Sequence, residues 1–351
     1  MKNTLKFKAM LRIAGIIALA LVIGFSMTAC DDGGDDGGGG SGSCTHEYVN
    51  FVCTKCSQSS WTAVENSPFS SDISTVVYGS DKFVAAGSGG KIAYSTDGIT
   101  WTAVADSTIS TTINDVAYGG GIFIAVGNDG KMASSTDGIT WTTLSGNTDI
   151  GTNHIRSITY GNGKFVVGSS GARIAYSIDG AVWTTATGTP SGIINVNTII
   201  YGTDKFVAGT NTGNIYYSTD AVSWTVTTPA NVTDFGDNSI YSIAHGAFNN
   251  GRFVAVGGNG KIAYSNDGTG VWAGQTNPFG IIYIHDVIYA NGKYIAVGNL
   301  RTMAHSVNGI NWTSVTSLPT ALPGSFSSIA FGGGKFVVVG ASGRIAYSPA
   351  N

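Results

Sequence analysis

Tryptophan occurs seven times in this chain of 351 residues, at positions 61, 101, 141, 183, 224, 272 and 312. The intervals are 40, 40, 42, 41, 48 and 40 residues, and 39 more follow the last one. Each parcel repeats one text: Ile113-Asn114-Asp115-Val116-Ala117-Tyr118-Gly119, then Phe123-Ile124-Ala125-Val126-Gly127, then Ser135-Thr136-Asp137-Gly138-Ile139-Thr140-Trp141. Short runs rich in β-branched residues, separated by glycine turns, read as strands, and a period of ~40–45 residues is the length of one propeller blade. The expected fold is therefore all-β: a seven-bladed β-propeller of four-stranded antiparallel blades over residues 57–351. In the second parcel the strands are expected at Ile113–Tyr118, Phe123–Val126, Lys131–Ser135 and outward from Trp141. The last parcel has no tryptophan strand, whereas Trp61-Thr62-Ala63-Val64 precedes any complete blade. The N-terminal strand is thus expected to join the C-terminal blade and close the ring, which removes the free sheet edge of an open array.

The first 29 residues read as an address. Lys2, Lys6, Lys8 and Arg12 precede the apolar run Ile13 to Phe25, which is short for a membrane span. Met27-Thr28-Ala29-Cys30 closes it and resembles the lipobox of bacterial lipoproteins, which implies cleavage before Cys30 and a lipid on that cysteine. An ordinary secretory leader cut near Ala29 is the alternative, and either reading places the protein outside the cytoplasm, in the cell envelope. Residues 30–43, mostly Asp, Gly and Ser, bury nothing and serve as a flexible tether. Without the leader, 14 Lys and Arg oppose 21 Asp and Glu, a net charge near −7. That balance argues against nucleic acid and against an anionic bilayer surface, so membrane contact is expected through the lipid alone. A monomer is expected.

Cys44-x-His46 is followed after six residues by Cys53-x-x-Cys56, a segment 44–56 that presents four zinc-type ligands in two pairs. A disulfide competes, because the compartment is oxidising. With Cys30 lipidated three cysteines remain, and their odd number favours metal; four protein ligands would make that zinc structural.

The phrase Ser-x-Asp-Gly-x-x-Trp recurs at Asp97, Asp137 and Asp179 and, with changes, at Asp220, Asp267 and Asn308. It resembles the Asp-box (BNR) repeat of sialidases and of the photosystem II assembly-factor type of propeller, with a turn one residue shorter. The resemblance covers residues 57–351. It implies that these six residues tie a hairpin turn to backbone amides while the tryptophan packs between strands. It fixes no activity.

Comparison of the parcels separates framework from candidate site. One inner-strand position reads Thr75, Asp115, Ser157, Thr198, Ser242, Asp286 and Ser328. These are hydroxyls and carboxylates only, and the hydroxyls suit a ring of ties between neighbouring strands. Asp115 and Asp286, in blades two and six, would nearly face each other. The preceding position reads Ser74, Asn114, Arg156, Asn197, Tyr241, His285 and Ser327, which varies as a recognition surface must. His154, Arg156, Asn197, Tyr241 and His285, with Asp115 and Asp286, are the candidate ligand-binding cluster at the channel mouth. His245 and His305 stand where other parcels have tyrosine and read as framework. The connecting segments 225–239, with Asp234, Phe235 and Asp237, and 313–326 are further contact candidates.

Sialidase-like hydrolysis implies three arginines on a substrate carboxylate and a Tyr/Glu pair. Here Lys82, Lys164, Lys205, Arg252, Lys293 and Lys335 share one repeat position, and Lys91, Lys131, Arg173, Lys261, Arg301 and Arg344 another. Beyond Lys55, only Arg156 remains, and the sole glutamates are Glu47 and Glu65, so no triad assembles and no catalytic residue is assigned. The expected function is a non-catalytic module, anchored by lipid, that binds a protein or glycan of the envelope. The alternative is a glycan-active enzyme using Asp115 and Asp286.

Overall fold

The computed structural model describes residues 60–144, 150–189, 195–227, 235–247, 251–316 and 318–349, together with the backbone of 48–49 and 52–53. The leader, Cys30, the tether, Cys44, His46 and Cys56 lie outside the described residues. Of the 44–56 segment, the described part is a two-stranded pairing of Tyr48–Val49 with Val52–Cys53.

Seven four-stranded antiparallel sheets follow one another round a ring. In blade one the strands, from the channel outward, are Ile73–Gly79, Lys82–Gly87, Ile92–Ser95 and Thr102–Ala103. The innermost strands of blades two to seven are Ile113–Gly119, Ile155–Gly161, Val196–Gly202, Ile240–Gly246, Ile284–Ala290 and Phe326–Gly332. In blade seven the outermost strand is Thr62–Ala63, antiparallel to Ile345–Pro349, with Thr62 opposite Tyr347 and Ala63 opposite Ala346. In blade two the third strand begins at Met132 and the outermost is only Thr142–Thr143. Lys131 instead terminates the tight turn 128–130, and Trp141 precedes the strand it was expected to open.

The second strand of each blade is buried along nearly its whole length, as in Phe123 to Gly127. A blade packs on a neighbour through both faces, so this strand reads as a continuous apolar run rather than an alternation. The core is accordingly divided into seven clusters, one per junction. The cluster between blades two and three joins Ile124, Val126 and Met132 to Ile155, Phe165 and Trp183.

One contact recurs at the junctions on the inner strands. The last glycine of an inner strand lies under the aromatic ring of the next blade: Gly79 under Tyr118, Gly119 under Tyr160, Gly161 under Tyr201, Gly202 under His245, Gly246 under Tyr289 and Gly332 under Tyr78. A Cβ at any of these glycines would lie 2.0–2.5 Å from a ring atom, so no larger residue fits without separating the blades. The seventh junction has Ala290 and Phe331, both packed on the cluster of blades six and seven. His245 fills the tyrosine slot with the same geometry, its ring 4.6 Å from Phe253 as Tyr118 lies 4.6 Å from Phe123.

The Ser-x-Asp-Gly turns hold the outer hairpins. In blade one Ser95 Oγ donates to Asp97 Oδ1 (2.9 Å) and accepts from Gly98 N (2.9 Å). Asp97 Oδ1 accepts from Ile99 N and Thr100 N, each at 2.8 Å, and Trp101 Nε1 donates to Gly98 O. The same carboxylate bonds form at Asp137, Asp179, Asp220 and Asp267, and the amide oxygen of Asn308 accepts from Ile310 N and Asn311 N in the same way. The bases at the start of the second strands reach these turns in the next blade: Lys164 Nζ donates to Asp220 O (2.9 Å), Lys205 Nζ to Asp267 O (3.0 Å) and Arg252 Nη1 to Asn308 O. The second basic row needs one correction. Thr302, not Arg301, holds the position of Lys131, because Arg301 stands inside the tight turn 299–301.

Gly119→Ala is expected to cost about 1–3 kcal/mol, the usual penalty of forcing a group into a filled core. Urea unfolding measures it, and the cost should shrink in a Tyr160→Ala background, where the space under the ring is open.

Candidate functional site

A β-bulge shapes the channel. In blade two Ile113 pairs with Gly127 and Asp115 with Val126, which leaves Asn114 as an extra residue. The same register shift occurs at Ser74, Arg156, Asn197, Tyr241, His285 and Ser327, one per blade. Successive side chains of a regular strand point to opposite faces, and a bulge re-aims one of them. Here it turns two consecutive residues of every inner strand toward the axis. All fourteen line one cavity of ≈ 360 Å³.

The deeper residue of each pair builds a belt. Ser328 Oγ accepts from Val76 N (3.3 Å), Asp115 Oδ2 from Ile158 N (2.9 Å), Ser157 Oγ from Ile199 N (3.1 Å), Ser242 Oγ from Val287 N (3.3 Å) and Asp286 Oδ2 from Ile329 N (2.9 Å). Each bond links one blade to the next. A carboxylate has a second oxygen, and the two aspartates use it backward: Asp115 Oδ1 accepts from Thr75 Oγ1 (3.1 Å) and Asp286 Oδ1 from Ser242 Oγ (2.8 Å). Asp115 therefore spans blades one, two and three, and Asp286 spans five, six and seven. Their oxygens are committed to framework bonds, although both carboxylates remain half-buried in the channel wall.

Burial pushes Asp115 up to about 6, against the N–H groups of Ile158 and Val116 and the Thr75 hydroxyl, and the charge of Asp286 adds to the rise. Burial likewise raises Asp286, against the Ile329 N–H and the hydroxyls of Ser242 and Ser328. The turn aspartates go the other way: N–H donation from Thr140 and Ile139 holds Asp137 down to about 2.

The outer residue of each pair forms the mouth, where a second cavity of ≈ 250 Å³ joins Arg156, Asn197 and Tyr241 to Asn114, Asn128 and His154. Some mouth residues are held in place. Asn114 Nδ2 donates to Ile155 O (2.7 Å) and Asn128 Oδ1 (3.0 Å), Asn197 Nδ2 to Ile240 O (3.1 Å), and His285 Nε2 to Asn299 Oδ1 (2.7 Å). His154 Nδ1 accepts from Asp129 N (3.1 Å) and lies 3.7 Å from the Asp129 carboxylate. Tyr241 packs its ring 5.5 Å from His285 and 6.1 Å from Tyr283. Arg156 is exposed and makes no hydrogen bond or ion pair among the described residues. The structure thus brings all seven candidates to one channel, five at the mouth and the two aspartates below.

Sequence reasoning missed four neighbours: Asn128 and Asn299, which brace the mouth, and Tyr283 and Leu300 beside it. Leu300 was legible. The tight turn after the second strand uses left-handed backbone, and Gly89, Asp129, Asn259 and Ser342 occupy the place of Leu300 at φ 64, 56, 52 and 58. Leu300 (φ 53) and Arg301 (φ 57) both adopt it without glycine, at a cost of ~1 kcal/mol or more each. Phe235 is a correction in the opposite direction: it is fully buried in the core between blades four and five rather than part of a contact loop, while Asp234 lies outside the described residues.

A family model described as the DUF6242 β-propeller domain matches residues 42–149. No curated protein matches the chain. Among solved structures the chain is similar to YCF48 bound to D1 peptide, at 17% identity and TM-score 0.66 over 83% of this chain and 97% of that one. It is also similar to YCF48 from Cyanidioschyzon merolae (16%, TM-score 0.65, 82% and 98%) and to a streptogramin B lyase (15%, TM-score 0.67, 82% and 96%). These likenesses are of fold, and a fold shared by a peptide-bound protein and a lyase does not choose the chemistry.

The raised aspartates predict an unusual pH profile. An unfolded aspartate titrates near ~3.9, so between there and about 6 the folded chain holds the extra proton. Stability should rise as pH falls from neutral toward about 5, with a gain in Tm of about 2 °C. It should fall again near pH 3 as the turn aspartates protonate. Thermal scans of Asp115→Asn and Asp286→Asn should lose the rise and keep the fall.

Proposed function

We propose that this protein is a non-catalytic binding module of the cell envelope, held to a membrane by lipid on Cys30, that engages a protein or glycan through the channel-mouth face. The observation that carries this reading is the contrast between adjacent positions. The belt residue is a hydroxyl or carboxylate in every blade and is used for ties, whereas the bulged residue beside it is Arg, Tyr, His, Asn or Ser and is tied only in part. Packing gives no reason for that diversity, and recognition does. Arg156, without a partner among the described residues, the Tyr241 ring and the imidazoles of His285 and His154 offer charge, stacking and hydrogen bonding on one rigid rim. YCF48, a propeller of similar shape, has been solved with a D1 peptide bound. The acidic balance of the chain supports a partner other than nucleic acid, and Cys44, His46, Cys53 and Cys56 are proposed to hold a structural zinc ahead of the ring.

Glycan cleavage is the second reading, and one observation favours it: Asp115, at about 6, has the pKa of a workable general acid. The commitment of both carboxylates to backbone amides weighs against it, because a tied oxygen is poorly placed to move a proton.

Immobilised protein should capture an envelope protein or glycan, with Arg156→Glu plus Tyr241→Ala lowering capture at least about tenfold and no turnover of aryl glycosides. Undiminished capture by that variant, or turnover lost in Asp286→Asn, would contradict the reading. Fractionation tests the anchor, since Cys30→Ser should shift the protein from the membrane to the soluble fraction; metal analysis should find about one zinc per chain, lost in Cys53→Ser.

A further inference from the structure

Beside the channel mouth, blade six carries an apolar surface that no repeat requires. Ile281 is 83% exposed, Leu300 73% and Tyr283 42%, and together they line a groove of ≈ 460 Å³ with Ile282, Asn299 and Ser325. Leu300 stands out because the fold resists it. At the same left-handed position the other tight turns place glycine, aspartate, asparagine or serine, all small or polar and compatible with that backbone. A branched apolar side chain there is unfavourable twice, once for the backbone and once for the water around it. It is the kind of local departure that marks a contact site rather than a packing site.

The groove is continuous with the mouth. Tyr283, in its wall, lies 6.1 Å ring to ring from Tyr241, and Tyr241 lines both channel cavities with Arg156. Asn299, at the foot of the groove, holds His285. An aliphatic groove therefore leads, across a tyrosine and a histidine, to a guanidinium without a partner among the described residues. Asp115 and Asp286, which line the same cavity, are tied to neighbouring strands, and Asp129 faces His154.

Resting on the binding-module reading above, we infer that the partner is a polypeptide that lays an aliphatic side chain between Ile281, Tyr283 and Leu300 and presents a nearby carboxylate to Arg156. Aliphatic surface gains most when another apolar side chain covers it, which a sugar ring with its hydroxyls does poorly. A guanidinium pairs best with a planar carboxylate, through two parallel hydrogen bonds. A protein segment supplies both within a few residues.

Selection of a phage-displayed library of random dodecapeptides on the purified full chain tests this, with a glycan array run in parallel. The expected result is a consensus pairing Leu, Ile or Val with Asp, Glu or the C-terminal carboxylate. Synthetic peptides of that consensus should bind at least about tenfold more weakly to Leu300→Asn and to Arg156→Gln. Leu300→Asn restores the residue type of Asn259 to the same backbone, so its Tm should equal or exceed that of the parent, which separates lost binding from lost folding. Enriched peptides without the aliphatic–acidic pairing, or binding untouched by Leu300→Asn, would overturn the inference and leave the binding module standing. Glycan binding sensitive to Arg156→Gln with no peptide enriched would do the same. No ligand of either class would overturn both.

Discussion

The ring depends on how one blade meets the next. At six junctions an aromatic ring lies on a glycine with no room for a Cβ, and at five a side chain of one inner strand accepts the amide of the following strand. The first contact sets how closely blades approach, and the second fixes their register round the axis. Neither belongs to a single blade, so a blade alone buries only half of its second strand and has little reason to fold. Stability resides in the junctions, as the division of the core into seven interblade clusters also says.

Constancy at the junctions leaves freedom elsewhere. The bulge at the start of each inner strand provides it, by turning a second residue toward the axis without disturbing the belt residue beside it. Asp115 and Asp286 illustrate the division. Their carboxylates look like site residues by type, yet each bridges three blades. Arg156, one bulge away, contributes no tie among the described residues.

Much of this was legible in the sequence. Seven tryptophans and the recurring inner-strand text gave the number of blades, and a column of hydroxyls and carboxylates identified the belt position before its bonds were known. The bulge was written as two polar residues in succession, Asn114-Asp115 or His285-Asp286, where alternation allows one, but periodicity alone does not say which of them the partner strand skips. The aromatic-on-glycine contact was hidden for a similar reason: Gly119 and Tyr160 are 41 residues apart, and only the ring brings them together. Phe235 was misread because a long segment between strands suggests exposure, whereas blade junctions draw apolar loop residues into their cores. Leu300 was readable only by aligning turns rather than strands.

The central claim is that framework and recognition occupy neighbouring positions and are separable. The most direct measurement replaces Arg156, Asn197, Tyr241 and His285 together by serine, the residue already present at Ser74 and Ser327. Calorimetry should find Tm within about 2 °C of the parent, since no belt bond is touched, while capture of the partner disappears. A quadruple variant that fails to fold, or one that folds and still captures its partner, would contradict the account.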